Sequence, residues 1–155
     1  MQEIRQKKTY DLEALEELII MLIEASSQGA AIIVEGRRDE MALRSLGVVG
    51  PVIMASRRPA LHLAEEVAQG YSEIILLTDW DRKGDEMAIT IEQHLRCTSS
   101  RTDLEIRSRL KKLVKKEIKD VESLGIYVER MREINNSKHW TLKCSSPRDG
   151  FPPEL

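Results

Sequence analysis

Apolar positions follow two different patterns along the chain. From Asp11 to Ala25 they recur every three or four residues with glutamates between them, which predicts an amphipathic helix. Short continuous apolar runs follow at Ala30 to Val34, Pro51 to Ala55 and Glu73 to Leu77. Uninterrupted runs of this length are typical of strands that are covered on both faces.

Helical patterns separate these runs. We predict helices from Arg38 to Leu46, from Leu61 to Gln69 and from Asp85 to Arg96, with Asp79 to Gly84 forming the turn before the last of them. Because helices and strands alternate, the chain is expected to form a parallel sheet between layers of helices.

The pattern is weaker after Arg96. The stretch from Arg96 to Leu104 is too polar to predict a strand, Leu104 to Leu124 reads as a helix with a break near Glu117, and Ile126 to Ile134 as one more short helix. The polar stretch from Asn135 onward carries three prolines and predicts a loosely held tail. We therefore divide the chain into an N-terminal helix (1–29), a core (30–96), a basic helical extension (97–134) and a flexible tail (135–155).

Composition narrows the class of protein. The 155 residues are 41% apolar but only 4% aromatic, so the core must be aliphatic, and the net charge of −2 leaves nucleic-acid binding to local basic patches. Cys97 and Cys144 are isolated, and no apolar run approaches the about 20 residues of a membrane span. We expect a cytoplasmic protein with reduced thiols and no membrane association.

Acidic residues follow two of the apolar runs. Asp79 and Asp81 come directly after one run, and their spacing places both carboxylates on the same side of an extended chain. Two carboxylates, with water and phosphate oxygens, make a typical magnesium site. Asp85 lies in the first turn of the following helix, where it either caps the helix or reaches the metal.

Glu35 and Gly36 follow the first apolar run in the same way. Since the carboxyl ends of parallel strands lie at one edge of a sheet, Glu35 and the two aspartates can meet in one crevice. Glu35 is then a general acid or base, a further metal ligand, or a glutamate that only caps a helix or faces solvent.

These two segments resemble the two signatures of the Toprim domain. The likeness is carried by Val34-Glu35-Gly36 and by Leu77-Thr78-Asp79-Trp80-Asp81-Arg82-Lys83-Gly84, and it extends over about Ala30 to Leu95. It implies an α/β fold of the Toprim, Rossmann-like kind, with three layers, a parallel sheet of about four strands flanked by helices, and here a C-terminal helical extension. The sequence is most similar to small stand-alone Toprim proteins, mainly archaeal and primase-like, which are related to the nuclease that matures 5S ribosomal RNA.

The resemblance also implies roles. Glu35 would be the acid or base, Asp79 and Asp81 the magnesium ligands, and Gly36 and Gly84 the turn glycines. Type IA topoisomerases carry an acid where this chain has Lys83, so the site is more similar to that of primases and small nucleases. Trp80, between the two aspartates, would either stack on a base or cover the edge of the sheet.

We therefore expect a magnesium-dependent protein, with manganese able to substitute, that processes nucleic acid. The leading interpretation is a small nuclease that cleaves phosphodiesters in structured RNA or DNA; the alternatives are a non-catalytic binding or assembly module and a primase-like nucleotidyl transferase. Several cations are candidates for phosphate contacts, each with the alternative of a solvated surface charge. They are Arg37, Arg38, Arg82 and Lys83 beside the acids, and Lys111, Lys112 and Lys115 in the extension.

Overall fold

The computed structural model describes residues 2–144, with side chains described at 11–56 and 58–136. The six helices are α1 Gln2–Ser27, α2 Arg37–Leu46, α3 Ala60–Gly70, α4 Arg82–Leu95, α5 Glu105–Val114 and α6 Leu124–Cys144. The four strands are β1 Ala31–Val34, β2 Val52–Met54, β3 Glu73–Leu76 and β4 Arg101–Asp103. This is the expected α/β order with a parallel four-stranded sheet.

The strand order is β2-β1-β3-β4, and every neighbouring pair is parallel. The chain leaves β1 toward one edge of the sheet to make β2, and then returns past β1 to make β3 on its other side. The direction of winding thus changes between β1 and β3, and ligands of open α/β sheets bind in the crevice at such a point.

Two apolar clusters lie on opposite faces of the sheet. Ile32 and Val34 point into a cluster with the buried faces of α1, α5 and α6, whereas Ala31 and Ile33 point into a second cluster with α3 and α4. Successive side chains of one strand alternate between the faces, and both faces are covered, so the run contains no polar residue. The result is the three-layer architecture that the resemblance implied.

Helix α4 begins earlier than predicted. It starts at Arg82 rather than Asp85, because the Asp81 carboxylate accepts a hydrogen bond from the Gly84 backbone N–H at 2.7 Å and caps the helix. The prediction that Gly84 belongs to the preceding turn is therefore wrong, since Gly84 lies within the first turn of α4.

The segment after Arg96 differs most from the sequence prediction. Arg101–Asp103 forms β4, an edge strand beside β3 that reaches beyond the predicted core boundary at residue 96. The helix predicted from Leu104 to Leu124 is interrupted close to the predicted break at Glu117, since α5 ends at Val114. The part of the prediction beyond the break is wrong, because the next segment does not resume the helix and turns back toward the carboxyl ends of the strands. Helix α6 continues to Cys144, into the predicted tail; residues 145–155 lie outside the described residues. Between residues 2 and 144, no helix is long and apolar enough to cross a membrane.

Candidate metal and nucleic-acid site

The crevice at the switch point brings together two acids that are far apart in sequence. Glu35 directly follows β1, and its Oε2 accepts a hydrogen bond from the backbone N–H of Asp79 at 2.8 Å. The Leu77 N–H donates to the Ile33 carbonyl at 2.8 Å, so the pairing of β1 and β3 continues up to this point. The structure thereby places the predicted acid or base beside the first predicted metal ligand.

The surroundings of Asp79 disfavour the ionised form of its carboxylate. Its Oδ1 accepts the backbone N–H of Val121 at 2.9 Å, a bond that favours the ionised carboxylate. Burial, joined by the negative charges of Asp39 and Glu35, nevertheless outweighs the bond from Val121 and raises the pKa of Asp79 to about 7. In the absence of a cation, this crevice holds more negative charge than it can stabilise.

Asp39 is an acid of this group that the sequence analysis did not single out. Its carboxylate lies on the first turn of α2, is buried, and accepts the Gly36 N–H at 3.0 Å. Burial raises the pKa of Asp39, and the charge of Glu35 adds to the effect. The signal in the sequence was an acid in the first turn of a predicted helix, which is common at helix starts and therefore uninformative.

Gly84 is required by a close approach of the backbone. A Cβ atom at this position would lie 1.8 Å from the Asp79 carbonyl oxygen, so only glycine fits. The Thr78 hydroxyl donates to the Gly84 carbonyl at 2.8 Å and fastens the same contact. At Gly36 the backbone is extended (φ −147°) and a Cβ would meet no atom within 4 Å, so the structure shows no comparable constraint there.

Asp85 is bound by two cations. Its Oδ1 accepts a hydrogen bond from Arg107 Nη2 at 2.6 Å, and its Oδ2 accepts one from Lys111 Nζ at 2.7 Å. Partial burial alone would raise its pKa, but the hydrogen bonds and charges of Lys111 and Arg107 outweigh burial and lower the pKa of Asp85. A role as metal ligand stays a prediction, and it would require one of these cations to release the carboxylate.

Arg107 is a residue of this site that the sequence analysis counted only as part of a basic segment. It is 8% exposed, and its guanidinium donates to the carbonyls of Thr78 (2.9 Å) and Asp79 (2.5 Å) as well as to Asp85. A signal was present: position 107 lies three and seven residues before Leu110 and Val114, on the buried face of α5.

Trp80 settles the choice between its two interpretations. It is 4% exposed, its Nε1–H donates to the Ile118 carbonyl at 2.7 Å, and its backbone N–H donates to the Lys119 carbonyl at 3.1 Å. A ring in this position packs in the core and is not open to stack on a base. Trp80 instead attaches the segment between α5 and α6 to the strand that carries the aspartates.

The predicted phosphate-binding cations fall into two groups. Lys111 is held by Asp85, whereas the side chains of the others are exposed. Arg38 and Arg82 make long surface ion pairs with Glu122 (3.6 Å) and Glu86 (3.4 Å). The exposed cations are Arg37, Arg38, Arg82, Lys83, Lys112 and Lys115.

The donor chemistry fits a hard divalent cation. Glu35, Asp79 and Asp81 offer carboxylate oxygens, the ligands that Mg²⁺ prefers, and the raised pKa of Asp79 marks a position where positive charge is missing. Among the side chains described, however, no three His, Cys, Asp or Glu residues are arranged to ligate one ion. A magnesium ion here would therefore keep several waters, as Mg²⁺ usually does.

Comparison with known proteins confirms the fold family. The Toprim domain family matches residues 30–123, a span that includes Glu35 and both aspartates. The chain belongs to this family, whose members generally bind divalent metal ions and act on nucleic acids.

Within that family the chain groups with small archaeal proteins. It is 43% identical over 121 residues to a UPF0292 protein of Methanosarcina barkeri, which covers 78% of this chain and 85% of that protein. It is 46% identical over 115 residues to a UPF0292 protein of Thermococcus onnurineus, covering 74% of this chain and 84% of that protein. A solved structure of a protein from Aquifex aeolicus is similar with a TM-score of 0.60 and 28% identity, covering 70% of this chain and 95% of the other. None of these names specifies a substrate or a reaction.

Proposed function

We propose that this protein is a magnesium-dependent nuclease that cleaves phosphodiesters in structured RNA or DNA, with Asp79 and Asp81 as the metal ligands. The observation that supports it most is the direct bond between Glu35 and the Asp79 backbone at the switch point of the sheet. This bond supports the proposal because it holds in one crevice the two acids to which the proposal gives the catalytic and the metal-binding role.

Each acid has a distinct role in this proposal. A bound Mg²⁺ would supply charge stabilisation for the phosphate that is being cleaved. Only Oε2 of Glu35 has a hydrogen-bond partner among the described side chains and backbone, so its other carboxylate oxygen can take the proton of an attacking water. Asp79 keeps one oxygen on Val121 and presents the other to the cation.

Exposed cations around the crevice would hold the substrate. Arg37 and Arg38 begin α2, and Arg82 and Lys83 begin α4, so both pairs flank the acids at the same edge of the sheet. Phosphate contacts of this kind fix the position of a nucleic acid without reading its sequence. The cations suit a backbone that enters the crevice between the two helix starts.

A second function is favoured by one specific observation. The described side chains form no ready cluster of three metal-ligating groups, and both Glu35 and Asp79 already bond to backbone N–H groups. A Toprim module that binds nucleic acid without cleaving it would tolerate such engagement. We therefore retain a non-catalytic binding or assembly role as the alternative.

The two functions are separated by a cleavage and binding assay. Labelled single-stranded, duplex and hairpin RNA and DNA are incubated with the protein in Mg²⁺, Mn²⁺ or chelator. Glu35→Gln and Asp79→Asn are tested beside Asp103→Asn. The last is a matched control, because Asp103 also ends a strand and caps the next helix, through Glu105 N–H at 2.8 Å. We expect metal-dependent cleavage that the first two variants lose by at least about 100-fold and the control retains.

Other outcomes would decide against the nuclease. Tight binding without cleavage, unchanged by Glu35→Gln, would support the binding module. Template-dependent incorporation when nucleoside triphosphates are added would support the primase-like alternative.

A further inference from the structure

Arg107 has no part in the proposed chemistry, yet it is the one buried cation among the described side chains, and it donates to three acceptors. It lies on α5, outside both Toprim signatures, and its guanidinium donates to the backbone carbonyls of Thr78 and Asp79, just after β3. We propose that Arg107 is a positioning residue for the metal site: it holds the Thr78–Asp79 backbone so that the Asp79 carboxylate faces the cation. The inference rests on the proposed metal site at Asp79.

The first argument is that hydrogen bonds already engage the backbone N–H, the carbonyl and one carboxylate oxygen of Asp79. Its N–H is bonded to Glu35, its carbonyl to Arg107, and its Oδ1 to Val121. With these three contacts in place, Oδ2 is the remaining carboxylate oxygen. Without Arg107 the carbonyl would be released, and among the contacts described the peptide between Asp79 and Trp80 would be held only through the bond from the Trp80 N–H to the Lys119 carbonyl.

The second argument is that the contacts need a guanidinium. Nε donates to the Thr78 carbonyl while Nη2 donates to both the Asp79 carbonyl and Asp85. A planar fork with several donors in fixed directions can span these acceptors, whereas a lysine offers one compact ammonium group. The residue type therefore matches a role in orientation rather than in supplying charge alone.

The third argument concerns charge. A lone buried cation next to a metal ion would repel it, but Asp85 neutralises Arg107 at 2.6 Å. Lys111, one helical turn further along α5, contacts the other oxygen of Asp85. The interaction thus anchors α5 to the metal-binding segment, and Asp85 offsets one of the two positive charges there.

The experiment compares Arg107→Lys with Arg132→Lys by titrating each protein with Mg²⁺ and following the thermal midpoint. Arg132 bonds to Glu16 through Nε and Nη2 and joins α6 to α1, so Arg132→Lys is a control for the loss of a guanidinium–carboxylate pair. We expect the Mg²⁺ concentration at half-maximal stabilisation to rise about tenfold or more in Arg107→Lys, as for other residues that orient metal ligands, and to stay within about twofold in Arg132→Lys.

Hydrogen exchange of the amides at 78–81 and 119–122 provides a readout that does not depend on metal. Faster exchange confined to these amides in Arg107→Lys, together with the raised Mg²⁺ midpoint, supports the proposal. A wild-type protein with no Mg²⁺ response would refute the metal site itself, and the positioning role with it. An unchanged Mg²⁺ midpoint together with unchanged exchange would overturn it, whatever the loss of stability. If Arg107→Lys does not fold, Asp85→Asn removes the anchor from the exposed side and is expected to raise the Mg²⁺ midpoint severalfold; an unchanged midpoint there would also overturn it.

Discussion

Two aspartates in one short segment have opposite electrostatic surroundings. Asp79 faces Glu35 and Asp39 with only backbone N–H groups to compensate, and its pKa is raised to about 7. Asp85 faces Arg107 and Lys111, and its pKa is lowered. The first carboxylate is in need of a cation, and the second already has two.

The difference shows that charged residues close together in sequence can have different charge partners in the folded chain. The four charges of Asp81, Arg82, Lys83 and Asp85 are neighbours in the chain, yet Asp85 is neutralised by α5 and not by the adjacent cations. Asp79 remains uncompensated because the strands bring other acids, not cations, to its side. We infer that the metal preference belongs to Asp79 and its partners rather than to the acidic segment as a whole.

The largest effect is expected from disrupting the close contact between Gly84 and the backbone of Asp79. Gly84→Ala would place a methyl group on the Asp79 carbonyl and should lower the free energy of unfolding by about 3 kcal/mol, measured by denaturant titration. Gly36→Ala is the control within the same signature pair, and we expect a change below about 0.5 kcal/mol. Equal losses in both variants would contradict the asymmetry between the two glycines.

The next prediction is that removing the charge of Asp79 and removing the charge of Asp85 change the stability of the metal-free protein in opposite directions. In chelator at pH 8, Asp79→Asn should stabilise the protein by about 1 kcal/mol, a figure kept small because the half-buried carboxyl is partly screened by solvent. Asp85→Asn should destabilise it by a similar amount, about 1 kcal/mol, because Arg107 loses its charged partner. Thermal or chemical denaturation measures both.

Magnesium should reverse the direction of the stability change caused by Asp79→Asn but not of the change caused by Asp85→Asn. It is expected to stabilise the wild-type protein and to have little effect on Asp79→Asn, so the order of stability of these two proteins changes with the metal. Destabilisation by Asp79→Asn in chelator would mean that the acids are already compensated, and the contrast between the two aspartates would fail.

The pH dependence of the metal-free protein sharpens the same contrast. The folded pKa of Asp79 is raised, so its contribution to stability is complete below the unfolded value of about 4 and is lost as the pH rises through about 7. The folded pKa of Asp85 is lowered, so its contribution is present above about 4 and is lost only at lower pH. Unfolding in chelator between pH 4 and 8 should therefore show a decline that Asp79→Asn reduces and Asp85→Asn retains, with Asp39, whose pKa is also raised, contributing the remainder.

The smallest effect separates the paired lysine from the exposed ones. Lys112→Gln with Lys115→Gln should weaken nucleic-acid binding and reduce the salt slope by about 0.7 to 0.9 for each phosphate contact, with no change in thermal midpoint. Lys111→Gln should instead lower the thermal midpoint slightly, since it leaves one oxygen of Asp85 without its partner. Fluorescence anisotropy at several salt concentrations measures the first effect.

Much of the core could be predicted from sequence because its signals are local. The continuous apolar run of β1 and the helical spacing of α2 are each carried by neighbouring residues, so the local pattern alone locates them. The acids after β1 and β3 were recognisable for the same reason, because an apolar run that ends in carboxylates is unusual.

The region after residue 96 was harder because its structure depends on distant partners. β4 is a three-residue edge strand, too short and too polar to show a period. The segment from 115 to 123 has helix-forming residues, yet the backbone of Val121 bonds to Asp79, and the carbonyls of Ile118 and Lys119 accept bonds from Trp80. Contacts with residues some 40 positions away replace local helix bonds there.

The sequence by itself determined the α/β alternation, the strand-end acids and the need for glycine near the second signature. Only the tertiary structure decided which carboxylates remain without a cation, that Trp80 is buried, and that Arg107 reaches the backbone of Asp79. Side-chain chemistry and short-range periodicity are written in neighbouring residues, whereas charge compensation depends on which groups the folded chain brings within a few ångströms.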